Sequence, residues 1–231
     1  VMKNGSGVEA ERLVAWAGSP PAGGIFSIHT SAIKRAMDLA IAFVVLTFLS
    51  PALIGIYALL KIFDPGPALF SQLRVGRDGR TFTVYKFRTM RVDAQQRLDH
   101  LLANDPTAAA EWAQFQKLKH DPRVTVLGRI LRKMSLDELP QLLNIVRGEM
   151  SVIGPRPVTS GEIHRYGAEY PYYTAVRPGV LGLWQVSGRN KLTYEQRVAF
   201  DVQYVKTWSI WQDIKILFMA IPVVLLGLGA Y

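Results

Sequence analysis

An uncharged stretch of 22 residues, from Leu39 to Leu60, constrains this chain more than any other feature. At a rise of about 1.5 Å per residue, a helix of this length spans roughly 33 Å, enough to cross a bilayer core of about 30 Å. Ser50 and Pro51 stand near its middle. Because proline removes a backbone donor and clashes with the preceding turn, the helix should bend there. The stretch therefore predicts a membrane helix with a sharp bend at Ser50-Pro51.

Two topologies fit a bent apolar helix. Basic residues flank both ends, Lys34 and Arg35 before the stretch and Lys61 after it. This charge pattern favours a re-entrant hairpin that returns to the cytoplasmic face. Proline also occurs in helices that cross the membrane, where neighbouring groups satisfy the freed backbone. The residues alone leave the hairpin and a kinked span equally open.

The composition agrees with a membrane surface. The 231 residues carry a net charge of +9 and a mean hydropathy of +0.14, and none is cysteine. Anionic headgroups attract basic residues and hydrocarbon accommodates surplus apolar ones, whereas nucleic acid would explain the charge but not the hydropathy. The lack of cysteine excludes disulfide scaffolds, thiolate zinc sites, iron–sulfur clusters and cysteine nucleophiles. Because nucleic acid would not explain the hydropathy, we expect no nucleic-acid partner.

Four regions follow from these patterns. Residues 1–30 contain Gly-Ser-Gly and Ser-Pro-Pro-Ala-Gly-Gly, which predict a flexible lead rather than a cleavable signal peptide. Residues 31–62 hold the membrane helix and 63–213 a polar body with most of the net charge. Residues 214–231 are a short apolar tail that we expect at the membrane interface.

Within the body, periodicity predicts a mostly α fold with one small β-hairpin (α+β). Residues 70–75 and 81–87 alternate apolar and polar side chains around an Asp-Gly pair, the pattern of a β-hairpin. Thr193 and Gln196 are spaced as a capping box before the last predicted helix. Helices are predicted over residues 94–103, 107–118, 127–132, 139–146, 160–166 and 194–208.

The segment after Arg132 carries the strongest candidate for chemistry. Ser135 and Glu138 could form a capping box, but Pro140 would then be the fifth helical residue, where its missing N–H is needed. With Asp137 as N-cap, Pro140 falls in the first turn, where no donor is required. Asp137 would then lie at the positive end of a helix dipole, which keeps a carboxylate ionised and favours a phosphate nearby. A purely structural cap is the alternative.

Arginine-rich loops surround that segment. Arginine outnumbers lysine 17 to 10, a bias that favours forked recognition of phosphate. Arg156 lies between two prolines, and a charge on such a stiff turn is pre-organised to hold a substrate. The basic residues of the hairpin fit a solvated or lipid-facing surface equally well. The four histidines lack metal-ligand spacing, and the sequence contains no Walker loop, dinucleotide fingerprint or GxSxG elbow.

Several motifs follow one another in the chain. They are Lys34-Arg-x-x-Asp38, Ser50-Pro51, Arg74-Val-Gly-Arg-Asp-Gly, Tyr85-Lys-Phe-Arg-Thr-Met90, Ser135-Leu-Asp-Glu-Leu-Pro-Gln141, Gly154-Pro-Arg-Pro157, Arg177-Pro-Gly179 and Gly182-Leu-Trp-Gln185. Together they closely resemble the bacterial sugar transferases, which are monotopic polyprenyl-phosphate phosphoglycosyl transferases. The resemblance runs from about residue 33 to about 215. It is strongest to the short exopolysaccharide branch, which transfers galactose- or glucose-1-phosphate.

This resemblance implies a reaction and a set of site residues. Members transfer hexose-1-phosphate from a UDP-hexose to undecaprenyl phosphate, release UMP and require Mg²⁺. By motif match, Asp137 would be the nucleophile that forms an acyl-phosphate sugar intermediate, and Glu138 would be a Mg²⁺ ligand. The implied substrate contacts are Lys86, Arg88, Arg132, Arg156, Pro157 and Arg189, with Asp213 as a further family-like acidic position.

The resemblance also implies a place in the cell. Ser50 and Pro51 would form the hinge of a re-entrant helix, with the catalytic domain on the cytoplasmic face of the bacterial inner membrane. The partners would be UDP-hexose, undecaprenyl phosphate and the lipids of that membrane, and a homodimer stays open. A membrane-anchored adaptor with the same basic face is the alternative, but it would not need the Asp137-Glu138 pair. The identity of the sugar and the role of helical segment 94–119 also stay open.

Overall fold

The structure, a computed structural model, describes residues 31–115, 118, 121–188 and 192–225. Helices predominate in it, and two small sheets accompany them. The α-helices are α1 (Ala32–Phe63), α2 (Ala94–Asn104), α3 (Pro106–Phe115), α4 (Val126–Lys133), α5 (Leu142–Arg147), α6 (Tyr170–Thr174), α7 (Leu183–Ser187), α8 (Tyr194–Lys206) and α9 (Ile210–Leu225). The strands are β1 (Leu69–Val75), β2 (Thr81–Phe87), β3 (Ser151–Ile153) and β4 (Gly179–Leu181). Short 3₁₀ helices span Arg77–Gly79, Leu136–Gln141, Ser160–Arg165 and Gly167–Glu169.

The predicted β-hairpin is confirmed. Strands β1 and β2 pair antiparallel, with Leu69 opposite Phe87 and Val75 opposite Thr81. The turn between them places Asp78 at φ 58° and Gly79 at φ 71°, the left-handed region that Asp and Gly tolerate best. Strands β3 and β4 form a second, parallel pair, which the sequence analysis did not predict.

Most predicted helices occur, with changes at their ends. The segment predicted over residues 160–166 is a 3₁₀ helix, and the last predicted helix ends at Lys206 rather than at residue 208. The capping box of α8 is confirmed, since Thr193 accepts from the amide of Gln196 and the Gln196 side chain accepts from the amide of Thr193. Of the apolar tail, residues 214–225 lie in α9 and the remainder lies outside the described residues.

Helix α1 is the one helix in the described part of the chain that is long and apolar enough to cross a membrane, by length and composition. It begins at an N-cap, Ser31, whose hydroxyl accepts from the amide of Lys34, and it contains Pro51. None of residues 43–55, all of which are described, is buried. Phe43 and Phe48 are more than 70% exposed. The apolar middle of α1 therefore projects away from the rest of the described residues.

Both ends of α1 pack on the polar body. Near its start, Ala42 belongs to a core that includes Ile145 from α5 and Ile153 from β3. Near its end, Leu60 packs in a second core with Leu131 of α4. The body thus contacts the helix on both sides of its exposed middle.

A buried ionic cluster joins the start of α1 to α9. Lys34 Nζ lies 2.9 Å from Asp213 Oδ2 and 3.6 Å from Asp38 Oδ1. Asp213 also accepts from the Tyr204 hydroxyl at 2.7 Å and from the Trp208 indole N–H at 3.2 Å. Asp38 Oδ1 accepts from the amide of residue 152 and the hydroxyl of residue 151, each at 2.9 Å. This cluster ties α1 to α9.

Candidate active site

One large cleft, of about 740 Å³, lies beside the β-hairpin and collects most of the predicted site residues. It is bounded by the hairpin, by the segment after β2, by α4, by the 3₁₀ turn that carries Asp137, by the loop after β3 and by α7. Its charged lining residues are Arg74, Lys86, Arg88, Arg91, Arg123, Arg132, Asp137, Glu138 and Arg156. Two carboxylates therefore face a predominantly cationic cleft, as an anionic substrate requires.

The segment that carries the two carboxylates differs from the prediction. Asp137 is not the N-cap of an α-helix. Residues Leu136–Gln141 form a 3₁₀ helix that begins after Ser135 at φ 55°, and α5 starts only at Leu142. The reason is Pro140, which cannot donate to an α-helical ladder and is accommodated in the preceding tighter turn. Asp137 and Glu138 occupy the first turn of that 3₁₀ helix.

The environment of Asp137 is less favourable to its charge than the sequence analysis expected. Burial, followed by the neighbouring Glu138, raises the pKa of Asp137 to about 6, although Lys86 and Arg132 act in the opposite direction. At pH 7 a carboxyl with this pKa is still about 90% ionised. The carboxylate is thus available, and incomplete solvation leaves it reactive toward an electrophile.

Lys86 and Arg132 approach the carboxylate pair from different elements. Lys86 projects from β2, and its Nζ lies 2.5 Å from Glu138 Oε1. Arg132 lies in the last turn of α4, and its Nε donates to Thr89 Oγ1 at 2.8 Å. Helix α4 can lie against the Thr89 backbone because Gly128 faces it, and a Cβ at that position would overlap the Thr89 carbonyl.

Arg74 and Arg156 line the end of the cleft that lies toward the hairpin turn, away from the end of α1. Arg74 donates to Glu162 Oε2 at 3.2 Å and to the carbonyl of Pro157 at 3.1 Å. The Arg156 guanidinium lies 5.9 Å from the centre of the Trp184 ring. Stacking and a fixed turn therefore hold two forked cations at this end.

The structure brings together six of the predicted site residues, Lys86, Arg88, Arg132, Asp137, Glu138 and Arg156, all of which line the cleft. Pro157 borders a small adjoining pocket and contributes its carbonyl to Arg74. Asp213 does not reach the cleft, because it is buried against Lys34 in the cluster between α1 and α9. Arg189 lies outside the described residues. Ser50 and Pro51 stand exposed in the middle of α1.

Arg74, Trp184 and Gln185 are among the cleft residues that were missing from the predicted site set. Each belongs to a motif that carries the family resemblance, so a signal for them was present in the sequence. Glu162, which orients Arg74, could have been found from its capping-box spacing to Thr159.

The carboxylate pair also suits a magnesium ion. No group of three or more acidic, histidine or cysteine side chains with metal-site geometry occurs among the described residues. Magnesium, however, is commonly held by one or two protein carboxylates together with substrate phosphates and water. Asp137 and Glu138 are adjacent hard oxygen donors in a cleft that can admit a diphosphate, so the donor set fits this ion.

Comparison with known proteins places the cleft in a family. A family model described as "Bacterial sugar transferase" matches residues 29–227. The chain belongs to the bacterial sugar transferases. The match covers most of the chain, including every described residue that lines the cleft.

Individual relatives agree with this assignment. The chain is 50% identical over 200 residues to the undecaprenyl-phosphate galactose phosphotransferase of Salmonella typhimurium, which covers 86% of this chain and 42% of that protein. It is 48% identical over 198 residues to the exopolysaccharide production protein ExoY of Rhizobium meliloti, covering 86% of this chain and 88% of that protein. It is 40% identical over 197 residues to the UDP-glucose:undecaprenyl-phosphate glucose-1-phosphate transferase of Escherichia coli, covering 82% and 39%. The chain therefore spans less than half the length of several curated relatives that it matches.

Proposed function

We propose that this bacterial sugar transferase moves hexose-1-phosphate, from UDP-galactose or UDP-glucose, to undecaprenyl phosphate and releases UMP. The product would be the lipid-linked sugar that begins an exopolysaccharide or another surface glycan. The observation that carries the proposal is the pairing of Asp137 and Glu138 within a cationic cleft of about 740 Å³. The names of the relatives support the galactose or glucose donor and the lipid acceptor.

Asp137 acts as the nucleophile in this proposal. One of its carboxylate oxygens attacks the β-phosphorus of the UDP-sugar, and a new P–O bond forms. The bond from that phosphorus to the bridging oxygen breaks, and UMP leaves with the electron pair. An oxygen of undecaprenyl phosphate then attacks the same phosphorus, and the bond to Asp137 breaks, which regenerates the carboxylate.

Neighbouring groups prepare the carboxylate for this attack. Lys86 and Arg132 keep Asp137 mostly ionised against the effect of burial. Glu138 would hold Mg²⁺, and the bound ion would supply positive charge next to the diphosphate. Arg74 and Arg156, held by Glu162 and Trp184, orient phosphate oxygens with forked N–H groups.

The proposed topology is monotopic, with α1 as a re-entrant helix bent at Ser50-Pro51. Ala42 and Leu60 lie on either side of the exposed middle of α1, and both pack on the same polar body. A through-span would put its two ends on opposite sides of the membrane, where one body cannot contact both. We therefore infer that both ends lie on the cytoplasmic face of the bacterial inner membrane, with the body.

Cysteine labelling tests this topology, because the natural chain contains no cysteine. Ile33→Cys and Lys61→Cys introduce single thiols before and after the apolar stretch. In oriented inner-membrane vesicles we expect an impermeant maleimide to label both from the cytoplasmic side. Labelling of the two positions from opposite sides would establish a through-span instead.

The activity is tested by UMP release in nanodiscs that contain undecaprenyl phosphate and Mg²⁺. With UDP-galactose and UDP-glucose as donors, we expect release by the natural chain and a loss of at least about 10³-fold in Asp137→Asn, since the amide is no nucleophile. Asp78→Asn is the matched control, because Asp78 lies in the hairpin turn at a left-handed φ that asparagine also tolerates. Full activity of Asp137→Asn would refute the nucleophile, and no release with any UDP-sugar would favour the adaptor.

A further inference from the structure

The two ends of the cleft differ in chemistry. At one end, Gln72, Arg74, Arg156, Trp184 and Gln185 present forked cations, amides and an indole. At the other end, next to the exit of α1, the lining residues are Pro67, Leu69, Phe70, Arg88 and Val92. Leu69, Phe70 and Val92 are each at least 40% exposed. This second end therefore combines an apolar surface with the Arg88 guanidinium, and Arg91 also lines the cleft, next to Val92.

Arg88 is 94% buried, and Arg123 is the one other cleft cation buried to a similar degree. Its Nη2 lies 3.3 Å from Asp64 Oδ2 and also contacts the Asp64 carbonyl, while its Nε and Nη1 have no hydrogen-bond partner in the described residues. Buried N–H groups without a partner are costly, and two on one guanidinium are rarely left without a function. Both nitrogens are themselves enclosed, so anionic oxygens would reach and satisfy them only if the guanidinium turned toward the cleft.

Asp64 and Gly66 build this arrangement at the end of the membrane helix. Asp64 is the C-cap of α1, and its amide bonds to the Leu60 carbonyl. Gly66 has φ +137°, and a Cβ there would collide with Nη1 of Arg88. The residues that end the membrane helix thus also hold and accommodate the guanidinium. Any group bound by Arg88 would lie where the chain leaves the membrane.

We propose that Arg88, held by Asp64, binds the phosphate of the polyprenyl acceptor, while the Arg74 and Arg156 end binds the nucleotide of the donor. This inference rests on the proposed function. A prenyl chain that emerges beside α1 meets Leu69 and Phe70, and its phosphate then comes within the reach of Arg88. Thr89, the next residue, accepts from Arg132, which acts on Asp137. The acceptor phosphate would therefore approach the covalent intermediate from the membrane side.

A guanidinium at position 88 suits the second step, in which the lipid phosphate attacks the covalent intermediate. An oxygen of the lipid phosphate forms a bond to the phosphorus carried by Asp137, and the bond from that phosphorus to the Asp137 oxygen breaks. No proton needs to move, because the attacking oxygen is already ionised. The Arg88 guanidinium compensates charge that would otherwise repel the two phosphates.

A kinetic split between the two substrates tests the proposal. In nanodiscs, we expect Arg88→Gln to raise the KM for undecaprenyl phosphate at least tenfold and the KM for the UDP-hexose less than twofold. Arg74→Gln, at the other end, should show the reverse pattern. The double variant with Arg88→Gln and Asp64→Asn carries no unpaired carboxylate, so it should repeat the pattern if the single variant folds poorly.

A binding measurement separates a lipid phosphate from a free one. Undecaprenyl phosphate in the nanodisc should raise the Tm of the natural chain, and this increase should fall by at least half in the double variant and in Phe70→Ser. Inorganic phosphate at the same concentration should give no comparable increase, because it lacks the prenyl chain. Equal protection by inorganic phosphate would overturn the lipid assignment in favour of a general anion site.

Two further results distinguish failure of this inference from failure of the proposed function. If Arg88→Gln raises the KM for UDP-hexose as much as that for the lipid, Arg88 belongs to the donor site and the inference is wrong. UMP release by the natural chain in the same assay would leave the proposed function standing. Failure of the proposed function would instead appear as no UMP release by the natural chain with any UDP-sugar.

Discussion

Two of the carboxylate–cation clusters in the described residues differ in their access to solvent: one lies sealed between α1 and α9, and the other, around Asp137 and Glu138, faces the cleft. In the cluster between α1 and α9, the side chains of Lys34, Asp38 and Asp213 are at most 6% exposed. In the cleft, Lys86 and Glu138 are paired at 2.5 Å but remain 25% and 29% exposed. The first cluster is sealed by hydroxyl, indole and amide donors, whereas the second is open to a ligand. Burial and access, more than charge, separate a structural cluster from a reactive one.

The comparison predicts opposite results for one substitution made in each cluster. Lys34→Met would leave Asp38 and Asp213 buried without their cation, so we expect the free energy of unfolding to fall by about 3 to 5 kcal/mol. Lys86→Met should change it by at most about 1 kcal/mol, since water screens the partly exposed Glu138. Denaturant titration in detergent micelles measures both.

Activity provides the complementary measurement. Lys86→Met should slow UMP release per folded molecule, because Lys86 opposes the rise in the pKa of Asp137 and contacts Glu138. Lys34→Met should lower activity only in proportion to the folded fraction. Equal losses of stability in the two variants would show that the cleft cluster is as structural as the buried one.

The sequence could predict the site better than the sealed cluster, for physical reasons. The Asp-Gly turn and strand alternation are local signals, so the β-hairpin was predicted almost to the residue. Loop cations around Asp137 were found from motifs. Asp213, by contrast, lies in the polar first turn of α9. The residues around it do not indicate that it contacts Lys34, 179 positions earlier in the chain. Long-range burial decided its role.

The 3₁₀ turn at Asp137 has a different explanation. In the sequence, Pro140 conflicts with a capping box formed by Ser135 and Glu138. The predicted solution was an α-helix with Asp137 as its N-cap. The chain instead delays the α-helix to Leu142, a solution that depends on packing of the turn against β2. The parallel pairing of β3 with β4 was likewise invisible, because strands of three residues have too few positions for periodicity.

An Asp→Asn substitution should change the free energy of unfolding in opposite directions in the two clusters. The pKa of Asp137 is raised in the folded state, so its ionised form opposes folding at neutral pH. Asp137→Asn should therefore increase the free energy of unfolding by about 1 to 2 kcal/mol in metal-free buffer at pH 7.5. Asp213→Asn should decrease it, because Asp213 accepts from two donors and pairs with Lys34. A loss of stability in both variants would contradict the distinction between the clusters.

Asp201 in α8 is an intermediate case that tests whether burial or the missing cation matters more. It is buried like Asp213, but its near neighbours are the Tyr166 hydroxyl, which donates to Oδ2 at 2.7 Å, and two further tyrosines, Tyr173 and Tyr194. Arg156 lowers the pKa of Asp201, but this effect is smaller than the increase caused by burial. Burial raises the pKa of Asp201 from 3.8 to about 8.

The pH dependence of stability follows from that shift. Between about pH 4 and pH 8, the folded state holds a proton on Asp201 that the unfolded chain has lost, so stability falls as the pH rises through this range. Asp201→Asn resembles the protonated acid and removes this dependence. In differential scanning fluorimetry, the Tm of Asp201→Asn relative to the natural chain should rise by about 7 to 14 °C from pH 5 to pH 8, which corresponds to about 3.5 kcal/mol. Parallel pH profiles would mean that Asp201 stays ionised despite its burial, and that a sealed carboxylate needs no adjacent cation such as Lys34.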